Sequence, residues 1–204
     1  MCGSGNPIDD CWRCDFNWES PRQSLPDYVT GFGKISIGGK NGQIYVVTDD
    51  TDYDVINPAP GTLRYGVVKI EPLCIVFARN MMITLQEELV VNSVKTIDGR
   101  DHNVHIAGGA CLTFQCVSNT IIHGVHIHDC KSTGHAVVRG SPTRFGRRGG
   151  SDGDGINVFA AHDIWVDHCY FSNCNDSLID AIHGSTAITM SNNYFTSHFA
   201  PKSA

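Results

Sequence analysis

Asp163-Ile-Trp-Val-Asp-His-Cys-Tyr-Phe-Ser-Asn-Cys174 can be laid over Asn119-Thr-Ile-Ile-His-Gly-Val-His-Ile-His-Asp-Cys130 at an offset of 44, apolar on apolar and cysteine on cysteine. Two turns of 22 would account for that offset. The same stretch, from Ile164 to Phe171, matches Ile188 to Phe195 at an offset of 24, and Lys95-Thr-Ile-Asp-Gly99 precedes Thr120-Ile-Ile-His-Gly124 by 25. A period of 22 to 25 residues, carrying short alternating strands punctuated by Gly, Asn and Ser, specifies a solenoid whose turns stack on one another. A leucine-rich horseshoe lacks its Leu/Asn frame here. The expected fold is therefore all-β, a right-handed single-stranded parallel β-helix. Val125, Ile127, Val166, Ile188 and Met190 are candidates for the inward face. Tyr170 over Tyr194, Phe171 over Phe195 and His168 over Asn192 are the expected ladders between turns.

Around this repeat the composition is ordinary for a globular chain. Of 204 residues, 41% are hydrophobic and 18% charged, and 21 glycines favour tight turns. One domain is expected over residues 1–204: an N-terminal cap over 1–35, partly helical and anchored by Trp12 and Trp18, then β-helix turns over 36–204 that begin near Gly38–Val47. Net charge is −6 and the only basic cluster is Arg144, Arg147 and Arg148, which argues against a nucleic-acid partner. No apolar run approaches a membrane span, and MCGSGNPIDD carries no secretory signal pattern. Nine cysteines nevertheless fit an oxidising compartment, and their odd number leaves at least one unpaired within a monomer.

The chemistry concentrates in SDGDGINVFAAHDIWVDHCYFSNCNDSLIDA, Ser151 to Ala181. Residues two and four apart on a strand share a face, so Asp152 pairs with Asp154 and Asp176 with Asp180. The interval of 24 between Asp152 and Asp176 places the two pairs on adjacent strands. Four crowded carboxylates repel one another unless a cation neutralises them, and oxygen-only ligands suit Ca²⁺. DGDG is also ordinary turn chemistry, so solvated turn aspartates remain the alternative. His126, His128 and Cys130 alternate onto one face and form a competing zinc reading. No Gly-x-Ser-x-Gly elbow supports a nucleophilic hydrolase.

NPIDDCWRCD, GFGK, the GTLRYG run at Gly61–Gly66, KTIDGR, IIHGVHIHDC, the IWVDH segment at Ile164–His168 and GSTAITMSNNYF together resemble the plant pectate lyase family, which includes related pollen allergens. The resemblance covers nearly the whole chain. It implies a parallel β-helix and calcium-dependent β-eliminative cleavage of de-esterified pectin (polygalacturonate), with calcium carboxylates at Asp152, Asp176 and Asp180 and an acidic neighbour at Asp154. It also implies a disulfide between Cys111 and Cys130 and an extracellular or cell-wall location; no membrane partner is expected, and a monomer is. The family's base is an arginine in an Arg-x-Pro-x-x-Arg context on a later turn. This chain ends TSHFAPKSA, so the resemblance assigns it no catalytic residue, gives Lys202 no role, and points to missing C-terminal turns. Tyr28 stands where the family has a cysteine, leaving Cys11 without its usual partner, and Cys74 replaces an expected tryptophan. The alternative function is a non-catalytic calcium- and pectate-binding or allergen-like remnant. Asn175-Asp-Ser177 is expected to carry no glycan, which would crowd Asp176.

Overall fold

The computed structural model describes residues 3–20 and 22–197, so Lys202 and the end of the tail lie outside the described residues. Among the described residues there are two short α-helices, α1 (Pro7–Arg13) and α2 (Leu63–Val67), and a 3-10 helix over Arg22–Tyr28. The strands in chain order are β1 (Gln43–Val47), β2 (Leu73–Phe77), β3 (Met81–Ile83), β4 (Leu89–Val90), β5 (Lys95–Asp98), β6 (Val104–Ala107), β7 (Leu112–Gln115), β8 (Ser118–His123), β9 (His126–His128), β10 (Ala136–Ser141), β11 (Arg144–Arg148), β12 (Ile156–Phe159), β13 (His162–Asp167), β14 (Tyr170–Ser172), β15 (Ile179–Ile182), β16 (Thr186–Ser191) and β17 (Tyr194–Thr196). Successive strands wind round three parallel sheets ordered β1-β2-β5-β8-β13-β16, β3-β6-β9-β14-β17 and β4-β7-β12-β15. This is the parallel β-helix that the repeat specifies.

One step of the repeat differs from its expected length. Tyr170 pairs directly with His126 and Ile164 with Thr120, so the offset of 44 is a single long turn and not two turns of 22. The additional residues leave the coil as the antiparallel hairpin β10–β11. The basic cluster Arg144, Arg147 and Arg148 is therefore on β11, outside the coil.

Corners between sheets recur at fixed positions in each turn. Gly124, His168 and Asn192 are left-handed (φ 68, 51 and 53), as are Asn119, Asp163 and Ala187 (φ 57, 56 and 53). Glycine and short polar side chains tolerate that conformation best, which explains Gly124 and Asn192 at the ends of strands and Asn119 and Asp163 at the second residue of β8 and β13. The His168-over-Asn192 ladder is such a corner.

Inside the coil, like stacks on like. Ile75, Ile97, Ile122 and Val166 form one file, each fully buried. Ile106, Ile127 and Phe171 form another, with Phe195 next in line and its ring stacked on Phe171 at 5.2 Å. Burying each such side chain stabilises the fold by about 1.5–3 kcal/mol. Val125, Ile127 and Val166 occupy the inward face as expected, and Ile188 packs against it. Met190, in register with Val166, is 44% exposed because β16 is the last described strand of its sheet.

The N-terminal segment lies along the flank of the six-stranded sheet. Ile8 and Leu25 pack with Ile121 and Trp165 on its outer surface. Gly33 approaches β13 so closely that a Cβ there would lie 2.6 Å from the Ile164 carbonyl oxygen. The guanidiniums of Arg22 and Arg100 both lie against the Trp18 ring, and both arginines ion-pair with buried Asp98 at 2.7 Å. Burial alone would raise the Asp98 pKa, yet the hydrogen bonds and charge of Arg100 and Arg22 hold it down at about 2. The first turn is covered by α2, whose Leu63 and Val67 enter the core.

Candidate metal centre

The acidic turn before β12 is shaped by its glycines. Gly153 has φ +98, and a Cβ there would lie 2.7 Å from the Asn175 Cβ and 2.8 Å from the Ser132 nitrogen. A Cβ on Gly155 would lie 2.5 Å from the Leu178 carbonyl oxygen. Alternating glycine with aspartate thus presses this backbone against the next turn, leaving Asp152 and Asp154 as its side chains. On that next turn the Ser177 N–H donates to Asp154 Oδ1 at 2.8 Å, and Asn157 Nδ2 donates to Oδ2 at 3.1 Å. Asp180 lies on β15 in register with Asn157. Only Asp180 is on a regular strand; the other three occupy the bends before β12 and β15, so turn geometry and not strand alternation unites them.

Carboxylate oxygens of Asp152, Asp154 and Asp176 lie within 4.8 Å of one another. Asp180 falls outside that group but is close enough to act on Asp154. Burial pushes the Asp154 carboxyl up to about 6 and repulsion from Asp152 and Asp180 adds to it, while the hydrogen bonds from Ser177 and Asn157 oppose the shift. Among the described residues none of the four aspartates has an ion-pair partner. A compact set of oxygen donors with no His or Cys and no protein counter-charge fits a hard divalent cation, Ca²⁺ above all. Asn175 faces the same turn, its Nδ2 donating to Ser132 Oγ at 3.2 Å.

The zinc reading of His126, His128 and Cys130 fails, because Cys130 is in a disulfide with Cys111 and fully buried. His128 instead contacts His105 (Nε2 to Nδ1, 2.8 Å) and Asp129 (Nδ1 to Oδ2, 2.6 Å). Cys11 and Cys74 are free thiols. Sequence reasoning missed a second cluster beneath α1. Asp98, His123, Asp167 and Ser191 stand in register across four strands, and Asp167 Oδ2 lies 2.9 Å from His123 Nδ1 and 2.5 Å from His168 Nδ1. His168 Nε2 reaches Asp9 of α1 at 3.1 Å. The available signal was a polar file, Asp98, His123, Asp167 and Ser191, at one position of successive turns, which become neighbours once the long turn is recognised.

The comparisons with known proteins agree with this fold. Residues 75–201 match the family model of a right handed beta helix region, which gives the hand of the coil. The chain is 64% identical to probable pectate lyase 5 of Arabidopsis thaliana and 62% identical to a pectate lyase of Zinnia elegans, over 97% of its own length in both cases. It belongs to the plant pectate lyase family. Its β-helix also superposes on the 1.7 Å crystal structure of jun a 1, the major allergen from cedar pollen, with a TM-score of 0.91 and 45% identity, covering 95% of this chain and 56% of that one. The chain spans about half the length of the curated pectate lyases it matches, 48% and 49% for the two named. No helix among the described residues is long and apolar enough to cross a membrane.

Proposed function

We propose that this chain is the calcium- and pectate-binding part of a pectate lyase that cleaves de-esterified pectin by β-elimination, with Asp152, Asp154, Asp176 and Asp180 as its Ca²⁺ ligands. The observation carrying this reading is the convergence of three carboxylates, one of them buried, with its pKa pushed up to about 6. Such a group is unfavourable by itself and favourable around a divalent ion. When bound, calcium supplies charge withdrawal from a uronate carboxylate, which acidifies the neighbouring C5 proton. The chain's own residues hold and orient. Buried Asp154 is fixed by Ser177 and Asn157, while exposed Asp152 leaves the centre open where a polymer carboxylate can enter. No proton-abstracting base is assigned to the described residues. The disulfide fits an oxidising, extracellular setting in the cell wall.

Calcium affinity should be weak, because the ligands sit on a rigid coil and the polymer completes the shell. Calorimetry should show calcium heat in the wild-type protein and its loss in Asp176→Asn, with retention on polygalacturonate following calcium in parallel. Equal calcium heats in the two proteins would remove the assignment.

A further inference from the structure

Hairpin β10–β11 is a basic arm on an acidic protein. Residues 136–148 contain Arg139, Arg144, Arg147 and Arg148 and no acidic residue, in a chain of net charge −6. Two of the four hold the arm in place. Arg148 Nε donates to Glu88 Oε2 at 2.8 Å and its Nη1 donates to Gln115, while Arg139 donates to the carbonyls of Ile56 and Pro142. Arg147 does neither. It is exposed, has no side-chain hydrogen bond or ion pair among the described residues, and lines a cavity of about 650 Å³ with His135, Ala136, Val137, Arg148 and Gly149.

The strand that carries Arg147 runs into the acidic turn. Thr133 and Ser151 exchange two backbone hydrogen bonds at 3.1 and 3.0 Å, and Ser132 Oγ donates to the Asp152 carbonyl at 2.6 Å. The arm is also anchored to the sheet that bears Asp180. Arg148 grips Glu88 and Gln115 beside Thr113, and Thr113, Asn157 and Asp180 are in register across β7, β12 and β15. Two strand spacings of ~4.8 Å therefore separate the arm's anchor from Asp180, roughly 10 Å. A 1→4-linked sugar chain laid across the strands advances by about one strand spacing per ring. It would reach the arm roughly two to three sugars from the carboxylates.

We propose that Arg147, with His135 beside it, is a second uronate subsite, binding the carboxylate of a galacturonate residue two to three sugars from the metal centre. This rests on the calcium- and pectate-binding reading. A guanidinium fork matches a carboxylate in two parallel hydrogen bonds, and Arg147 has no protein acceptor to displace. A methyl-esterified sugar would lose the pairing.

Length dependence tests the subsite. Calorimetry with calcium present would compare Arg147→Gln with the wild-type protein on digalacturonate and hexagalacturonate. The variant should bind the hexamer about tenfold more weakly and the dimer within about twofold, since the dimer cannot reach from the metal centre to the arm. The hexamer deficit should shrink as salt is added, and the calcium heat should be unchanged. No deficit, or an equal deficit at both lengths, overturns the subsite and leaves the metal centre standing. If the wild-type protein shows calcium heat but binds no oligogalacturonate, subsite and pectate reading fall together; if it shows no calcium heat, the metal assignment falls separately. Should Arg147→Gln melt at a lower temperature, Arg147→Met serves as the second variant, and undiminished hexamer affinity there also overturns the subsite.

Discussion

Replacing Asp154 by Asn should stabilise the metal-free protein. The Asp154 carboxyl is 4% exposed, and its pKa is pushed up to about 6 by burial and by Asp152 and Asp180, against 3.8 for an unperturbed aspartate. The sign follows from linkage. A carboxyl whose folded pKa is raised binds its proton more tightly in the folded state, so stability falls as pH rises from the unfolded value through the folded one and is lowest above both. Two units correspond to about 3 kcal/mol at neutral pH, reduced to about 1–2 kcal/mol by solvent screening around exposed Asp152. Asparagine keeps an oxygen to accept from the Ser177 N–H, and a flip of the Asn157 amide restores the second hydrogen bond. In chelator at about pH 7.5 the variant should melt about 2–8 °C above the wild-type protein. At about pH 3, below both the unfolded and the folded pKa of Asp154, the difference should nearly vanish. Added calcium should raise the wild-type midpoint more than the variant's, since a ligand is gone. Differential scanning calorimetry at the two pH values, with chelator and with calcium, makes the comparison. A variant less stable than wild type in chelator at neutral pH would mean that the Asp154 charge is compensated in the folded state, and the argument for a metal-hungry cluster would fail.

Ile127→Ala should cost about 2–5 kcal/mol, because Ile127 is fully buried in file between Ile106 and Phe171; a lower urea midpoint with an unchanged slope would show it. Hydrogen bonding to Asp167 and the charges of Asp167 and Asp9 raise the His168 pKa against burial and Arg13. Its tie to α1 is therefore present below the ordinary imidazole range and lost as pH rises through the raised folded value. Protection factors of residues 7–13, with the intrinsic base-catalysed rise in exchange divided out, should fall over that window, and in His168→Asn, which suits the left-handed corner as Asn192 does, they should be independent of pH. Protection that still falls with pH in the variant would place the switch elsewhere.

Much of the coil could be read directly from the residues. Tyr170 over Tyr194 and Phe171 over Phe195 appear as stacked rings at 5.6 and 5.2 Å, because matching side chains recur wherever the backbone repeats. The hairpin was hidden because Ala136–Ser141 and Arg144–Arg148 look like any short strands, and residue spacing does not say whether a strand joins the coil or leaves it. Three of the four aspartates do converge, although through glycine-built bends that strand periodicity does not describe. Asp98, His123 and Asp167 went unnoticed because each is ordinary in its own segment, and only the register between turns makes them neighbours.

The long turn has a further consequence. β12 rejoins β7 in the same register that β15 keeps with β12, although the first return includes the whole hairpin and the second does not. What each turn must satisfy is the point of re-entry, not the path length outside it. The excursion between Lys131 and Gly150 is thus a cassette: its sequence can be exchanged, lengthened or randomised while the stacked files carry the stability. Under the proposed uronate subsite, a library within residues 136–148 that keeps the anchors Arg139 and Arg148 would vary polymer preference while leaving the stacked files in place.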